Sequence, residues 1–243
     1  MRKVGMRRHG VRRHGAVLRR LVTTSAVVLG AGLVLAGCAP VKFGAAAIVG
    51  NQAITIATLD TDATNLSQSA QPYKSLFQLS AAEVTQDTLT WLIQYQITEQ
   101  LAHQAGIEVS VGQAQAALQS AYTAAKTSAA SQGVSNASLD LILAHSGIPP
   151  VLSGEVGRYL AIDSLYETMA NGGVAPTSST AAAAAAKLQH AECLAAKTLK
   201  IQVNPQFGRL DYSSFQVVPA GSTVTRAEGP AKAASLAGLA PAC

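Results

Sequence analysis

The chain has 243 residues, of which 49% are apolar and only 13% are charged, so it is not a wholly disordered, charge-solvated protein. Aromatic residues make up 5%, and alanine, the strongest helix former, supplies much of the apolar share, which predicts a mainly helical fold. Residues 1–37 hold eight of the eighteen basic residues and no acidic one, which leaves residues 38–243 with a net charge of −3. We therefore expect no nucleic-acid partner.

The N-terminal segment has the order of parts of a bacterial export signal. A basic stretch up to Arg20 precedes an apolar run of 16 residues, 21–36, which is short for a membrane span. Residues 35–38 spell LAGC, which resembles the lipobox of bacterial lipoproteins. The resemblance implies a signal peptide over 1–37, a diacylglyceryl group on the Cys38 thiol, and a lipid-anchored protein at the outer face of the cell membrane.

The rest of the chain predicts strands at its two ends and helices between them. A tether over 38–44 precedes a short β-hairpin over 45–55, which turns at Gly50-Asn51. β-like runs follow at 199–203 and 210–218. We expect the strand near Ile48 to pair with the one near Ile201, because neither is long enough to be stable alone. The small and polar residues 219–243 predict a flexible tail.

Capping residues and helix breakers predict six helices in the middle of the chain, and a loop over 67–79. The expected helices are one from Thr55 or Thr58 to about Leu66, one from the Ser80–Glu83 capping box to Gly106, one from the Ser110–Gln113 capping box to about Ala130, a short one capped by Ser135 or Asn136 and ending at His145, one from Pro149-Pro150 to Asn171, and one over Ala181–Lys200.

The helix that ends at Gly106 presents two different apolar faces. Its core stripe has spacings of three and four residues, and consists of Leu89, Leu92, Ile93, Ile97 and Leu101. Trp91 and Tyr95 lie on the opposite side, and Tyr159 and Tyr166 are two turns apart on a later helix. These four rings either line an open peptide-binding groove, because aromatic anchors bind peptides well, or pack against the alanine-rich helix 181–200.

With Cys38 assigned to lipid, Cys193 and Cys243 remain. An exported protein can keep a disulfide, and a bridge between these two would stabilise the fold by roughly 4 kcal/mol through loop closure. The alternative is two unpaired thiols, with Cys193 packed as a small apolar group.

The inventory of reactive residues predicts neither an enzyme nor a metal or cofactor site. His103, His145 and His190 lie in different helices, and none has a second ligand at the spacing of a metal motif. The chain has no Gly-x-Ser-x-Gly elbow, no glycine-rich phosphate loop and no Cys-x-x-Cys pair. We therefore expect no catalytic residues.

The order of three stretches carries a family resemblance. They are AAIVGNQAITIATLDTDATNL (46–66), LTWLIQYQITEQLAHQAGIEVS (89–110) and LKIQVNPQFGRLD (199–211). Together they resemble the N-terminal chaperone domain of SurA and related extracytoplasmic foldases, in the lipoprotein form common in high-GC Gram-positive bacteria. The resemblance implies a SurA-like helical domain over 45–218, closed by a small sheet of its N- and C-terminal strands. The junction at 172–180 is too short for the prolyl isomerase domain that such foldases usually insert.

Two functions follow from this resemblance and the predicted anchor. The first is an ATP-independent holdase that binds unfolded or extended polypeptides near the membrane. The second is a structural or accessory envelope lipoprotein that docks one fixed protein partner. A holdase needs a broad, adaptable apolar surface, whereas a fixed partner needs a compact and complementary one.

Overall fold

The structure is a computed structural model that describes residues 43–221. The predicted signal peptide (1–37), Cys38 and the tether up to residue 42 lie outside the described residues, as does the predicted tail from residue 222 onward. The described chain is mainly helical with a small antiparallel sheet, as expected from the sequence.

Six α-helices lie between an N-terminal pair of strands and a C-terminal group of three strands in the described residues. In chain order the elements are β1 (Ala45–Val49), β2 (Gln52–Thr55), α1 (Ile56–Ala70), α2 (Ala81–Ala105), α3 (Val111–Ser131), α4 (Leu139–His145), α5 (Ser153–Ala170), α6 (Ala181–Thr198), β3 (Gln202–Val203), β4 (Arg209–Asp211) and β5 (Gln216–Val218). Single turns of 3-10 helix at Gln71–Tyr73 and Pro150–Leu152 precede loops or helices.

The two ends of the described chain meet in one sheet. Its strand order is β2-β1-β3, and both pairings are antiparallel. Ile48 lies opposite Gln202 and Ala47 opposite Val203, so the predicted pairing of the two ends is confirmed. The run 210–218, expected as one strand, instead folds back on itself as the β4–β5 hairpin, because residues 212–215 turn between its halves.

Local hydrogen bonding fixes the ends of the longest helices as the sequence predicted. At α2, the Glu83 N–H donates to Ser80 Oγ, and the Ser80 N–H donates to the Glu83 carboxylate at 2.8 Å. The same reciprocal capping box joins Ser110 and Gln113 at the start of α3. Gly106 ends α2 with a φ of 68°, a left-handed conformation that glycine adopts without steric cost.

Two predicted helix boundaries are wrong. α1 continues past Leu66 to Ala70, because Leu66 and Ala70 extend its buried stripe by one turn. Pro72 follows in the first turn of the 3-10 helix Gln71–Tyr73, where its missing N–H leaves no hydrogen bond unmade. α4 is capped by Ser138, not by Ser135 or Asn136, and the Leu141 N–H donates to Ser138 Oγ at 3.1 Å.

Helix α2 is buried on two sides. One side carries the main core, which joins β1, β2, α1, α6 and the β4–β5 hairpin; from α2 it takes Leu89, Ile93 and Ile97, all 1% exposed or less. Side chains of α2 also tie the sheets to it: the Val217 N–H donates to Thr90 Oγ1 at 2.9 Å and Gln100 Nε2 donates to the Val49 carbonyl at 3.1 Å. The opposite side faces a second core with α4 and α5.

Helices α3 and α5 approach each other at a glycine. A β-carbon built on Gly157 of α5 would lie 2.5 Å from the carbonyl oxygen of Ala114 in α3, which is too close for any side chain. Gly154, one turn earlier on α5, has open space where its β-carbon would be. The contact between α3 and α5 therefore requires glycine at position 157 but not at 154.

This difference gives a matched pair of variants. We expect Gly157→Ala to destabilise the protein by about 1–3 kcal/mol, because the new methyl group must push α3 away from α5. Gly154→Ala should be neutral or stabilising by up to about 1 kcal/mol, since alanine favours a helix and meets no atom. Denaturant unfolding measures both, and equal free energies of unfolding for the two variants would contradict the close approach.

Candidate functional site

The aromatic rings singled out by the sequence do not line an open groove. Trp91 and Tyr159 are only 3% and 2% exposed, and their ring centroids are 5.2 Å apart. Tyr95 is half-buried and stacks on Trp91 at 6.3 Å. Tyr166 is half-buried and belongs to none of the core clusters of the described residues. The expected peptide groove of four rings is therefore corrected: two of them are core residues.

The rings pack against α4 and α5 and the turn between them. Their neighbours in the second core are Leu143, Ile148 and Val156, all 2% exposed or less. The apolar side chains of this second core include none from the alanine-rich helix α6, whose Ala195 and Ala196 belong to the main core. The sequence left open whether Trp91 packs against a second partner or lies exposed, and nothing local identified the helices that cover it.

A different feature, an open cleft, lies where α3 and α5 begin. Its volume is about 250 Å³. The walls are mainly apolar or lack side chains, and consist of Val109, Ser110, Val111, Ala114, Gln115 and Leu118 on one side and Ser153, Gly154, Gly157 and Arg158 on the other. The two glycines leave the α5 wall without side chains where α3 faces it. Val111 at the rim is 74% exposed, so an apolar side chain stands in solvent beside the cleft.

Arg158 at the cleft wall is held in place by hydrogen bonds. Its guanidinium pairs with both carboxylate oxygens of Glu99 in α2, with Nη2 to Oε2 at 3.1 Å, and Nη1 donates to the Val109 carbonyl at 3.1 Å. Burial, with the adjacent Glu99 carboxylate as the second cause, raises the pKa of Tyr95 to about 12. The hydrogen bonds to Glu99 and Val109 fix the orientation of the Arg158 guanidinium, and the Glu99 carboxylate balances its charge. The cleft therefore carries little net charge.

The outer surface of α3 beside the cleft is almost uncharged. Lys126 is the one charged residue between Val109 and Leu139, and no residue of α3 is buried. Its exposed polar side chains carry amides and hydroxyls, among them Gln113, Gln115, Gln119, Ser120 and Thr123. Such groups both donate and accept hydrogen bonds without fixing the charge of a partner.

A second polar feature is buried where α2, α5 and α6 meet. Glu192 of α6 is 5% exposed and Thr98 of α2 is 1% exposed, and Thr98 Oγ1 donates to Glu192 Oε1 at 3.1 Å. From α5, the Tyr159 hydroxyl and the Asp163 carboxyl lie close enough to affect each other's pKa. Asp163 Oδ1 is shielded from solvent and has no hydrogen-bond partner among the described residues. We call Thr98, Tyr159, Asp163 and Glu192 the acid cluster.

The acid cluster holds its protons unusually tightly. Burial raises the pKa of Glu192 from 4.5 to about 7, although the Thr98 hydrogen bond partly offsets this. Burial and then the nearby Glu192 raise the pKa of Asp163 well above its usual range. Burial likewise raises the pKa of Tyr159, with Asp163 as the next cause. Two carboxyl groups that share one dry site disfavour each other's ionisation.

The sequence carried a signal for this cluster that its motifs did not reveal. Glu192 is four residues from Leu188 and from Ala196, both of them buried, so a carboxylate sits in phase with the buried face of α6. A buried acid without a cation at helical spacing is unusual, because charged side chains are almost never fully buried unless paired. Its partners Thr98 and Asp163 are distant in sequence, so only the fold identifies them.

The remaining sequence candidates fall partly outside the described residues. Cys193 is 7% exposed and disulfide-bonded, whereas Cys243, the partner that the sequence suggested, lies outside the described residues. Within residues 43–221 no group of three or more His, Cys, Asp or Glu side chains is arranged to hold a metal ion. In the same part of the chain, none of the helices has the length and apolar character that crossing a membrane requires.

The chain matches no family model, no curated protein and no solved structure.

The buried position of Trp91 predicts a large effect on stability. We expect Trp91→Ala to lower the free energy of unfolding by about 3–5 kcal/mol, because it removes a large ring from between Tyr95 and Tyr159. Tyr166→Ala, which removes a half-buried ring outside the core clusters, should cost only about 1 kcal/mol. Denaturant titration followed by circular dichroism measures both. Similar losses for the two variants would mean that Trp91 is not a core residue.

Proposed function

We propose that the protein is a membrane-anchored, ATP-independent chaperone-like lipoprotein that binds extended polypeptide outside the cytoplasm, through the cleft between α3 and α5. The observation that carries this proposal is the cleft itself, an open apolar recess with Val111 exposed at its rim. The buried rings of Trp91 and Tyr159 have no part in it.

The size of the cleft favours a side chain as its occupant. Its volume of about 250 Å³ is below the roughly 300–1,000 Å³ typical of pockets for drug-sized ligands and cofactors. The α5 wall at Gly154 and Gly157 and the side chains of Ala114 and Leu118 offer an apolar surface to an aliphatic group. An extended polypeptide presents such groups one at a time, with its backbone on either side.

The surface around the cleft suits a polypeptide of variable sequence. The amides and hydroxyls of α3 can hydrogen-bond to a backbone whatever its side chains are, and Lys126 is the single charge on this helix. A surface without charge pattern discriminates little between partners, because specificity usually depends on groups that reject the wrong one. This favours a holdase over an accessory lipoprotein with one fixed partner.

Two sequence features support the location and the class of function. The LAGC motif after a 16-residue apolar run is typical of a lipid anchor on Cys38. The resemblance to SurA-like chaperone domains rests on the order of three motifs, of which the hairpin at 45–55 and the end of α2 at Gly106 adopt the expected local structure. The family assignment and the lipidation are both part of the proposal.

Val111→Asp tests the cleft directly. The charge would stand at the rim of the apolar recess, so we expect at least fivefold weaker binding of a reduced and alkylated unfolded polypeptide. The fold should be unaffected, because Val111 is exposed and an acidic residue is favourable in the first turn of a helix. Fluorescence anisotropy of the labelled polypeptide and the melting temperature are the two measurements.

Val174→Asp is the matched control. This valine is 64% exposed in the segment between α5 and α6 and does not line the cleft, so its replacement should leave binding unchanged. Equal binding by both variants would show that the cleft is not the site. A wild-type protein that binds no unfolded polypeptide at all would instead favour the docking of one fixed partner.

Cys38→Ser tests the anchor. We expect the variant to move from the membrane fraction to the soluble fraction, because the thiol that accepts the lipid is gone. Detergent-phase partitioning of cell extracts measures this, with the exposed Val174→Asp variant as the control for substitution in general. Membrane association of Cys38→Ser equal to that of the wild type would contradict lipidation at this position.

A further inference from the structure

The acid cluster lies where helix α6 packs against α2 and α5. Glu192 of α6 accepts a hydrogen bond across the helix interface from Thr98 of α2, and Tyr159 and Asp163 of α5 lie close to it on the other side. α6 also positions the last strand of the sheet, because the Gly50 N–H donates to the Leu199 carbonyl at 2.9 Å just before β3. Release of α6 would therefore loosen the closure of the sheet.

The charges that face the cluster do not compensate its carboxylates. From α5, Asp163 and Glu167 are both acidic, and Tyr159 is the remaining titratable group. The Glu99 carboxylate of α2 is already paired with Arg158 of α5. On α6, Lys187 Nζ donates to the Ala170 carbonyl at 2.8 Å, and His190 and Lys197 are exposed. Ionisation of both Glu192 and Asp163 would thus place two like charges in one dry site.

We propose that the acid cluster is a proton-dependent latch: while Glu192, buried against Thr98 and near the shielded Asp163 carboxyl, is protonated, α6 stays packed on α2 and α5, and loss of its proton as the pH rises towards neutral releases α6. This release is a regulatory property beyond the binding of polypeptide by the cleft. It opens the side of the main core that Ala195 and Ala196 cover, and leaves the cleft residues, none of which lies on α6, in place.

The sign follows from the direction of the pKa shift. While α6 is packed on α2 and α5, which we call the closed state, Glu192 keeps its proton up to about pH 7. Once α6 is released, Glu192 loses the proton near its ordinary pKa of 4.5. The closed state is therefore fully favoured at acidic pH, and progressively less so between about pH 4.5 and 7. For a shift of this size, the open population of α6 should rise by on the order of tenfold between about pH 5.5 and pH 8.

Hydrogen exchange of the full-length protein tests the latch. Amides of α6 should lose about tenfold protection between pH 5.5 and pH 8, after correction for the intrinsic exchange rates, while those of α1 to α4 change much less. Glu192→Gln should strongly reduce the difference, because glutamine keeps an acceptor for Thr98 and never ionises, which leaves only the contribution of Asp163. Asp163→Asn, the second variant, should reduce it. The exposed Glu108→Gln is the control and should behave like wild type.

Three results would overturn the proposal. The first is α6 protection that does not change with pH in the wild-type protein. The second is an equal loss in α1 to α4, which would indicate global unfolding instead of release of one helix. The third is an unchanged pH dependence in both Glu192→Gln and Asp163→Asn.

Discussion

The fold depends on the burial of α2 along two opposite faces. This helix of 25 residues, about 37 Å long, is contacted by α1, α5, α6 and strands from both sheets. A chain with 5% aromatic residues has few large side chains to fill two interfaces. Small residues solve this problem by close approach: Ala46 and Ala47 of β1 and Ala196 of α6 are completely buried on the main side of α2. Its one tryptophan fills the other side.

Local chemistry made much of the fold predictable. The capping boxes at Ser80 and Ser110 and the left-handed Gly106 depend on hydrogen bonds within four residues, which a sequence displays directly. The two errors in helix boundaries have the same origin. At the end of α1, the burial of Leu66 outweighs the local signals. At the start of α4, the hydrogen bond between Ser138 Oγ and the Tyr73 hydroxyl does the same. Both interactions depend on residues distant in sequence.

The sites were less predictable than the fold, because each is made by elements far apart in sequence. Periodicity identified a second apolar face on α2. Whether this face is a groove or part of a core depends on the packing of Val156 and Leu143 against Trp91, which the sequence does not show. The cleft arises from the absence of side chains at Gly154 and Gly157, which a helical pattern records only as weak propensity. Glu192 stood on the buried face of α6, yet its partners on α2 and α5 could be found only in three dimensions.

One turn of α5 brings these features together. Gly157, Arg158 and Tyr159 follow one another around the helix at about 100° per residue, and they face α3, Glu99 and Trp91 respectively. Tyr159 also contacts Asp163, so the acid cluster and the aromatic core share a ring. The cleft, however, depends on Gly157 and α3, and none of its walls comes from α6. Movement of α6 can therefore change the exposure of the main core while the contact between α3 and α5, and with it the cleft, stays formed.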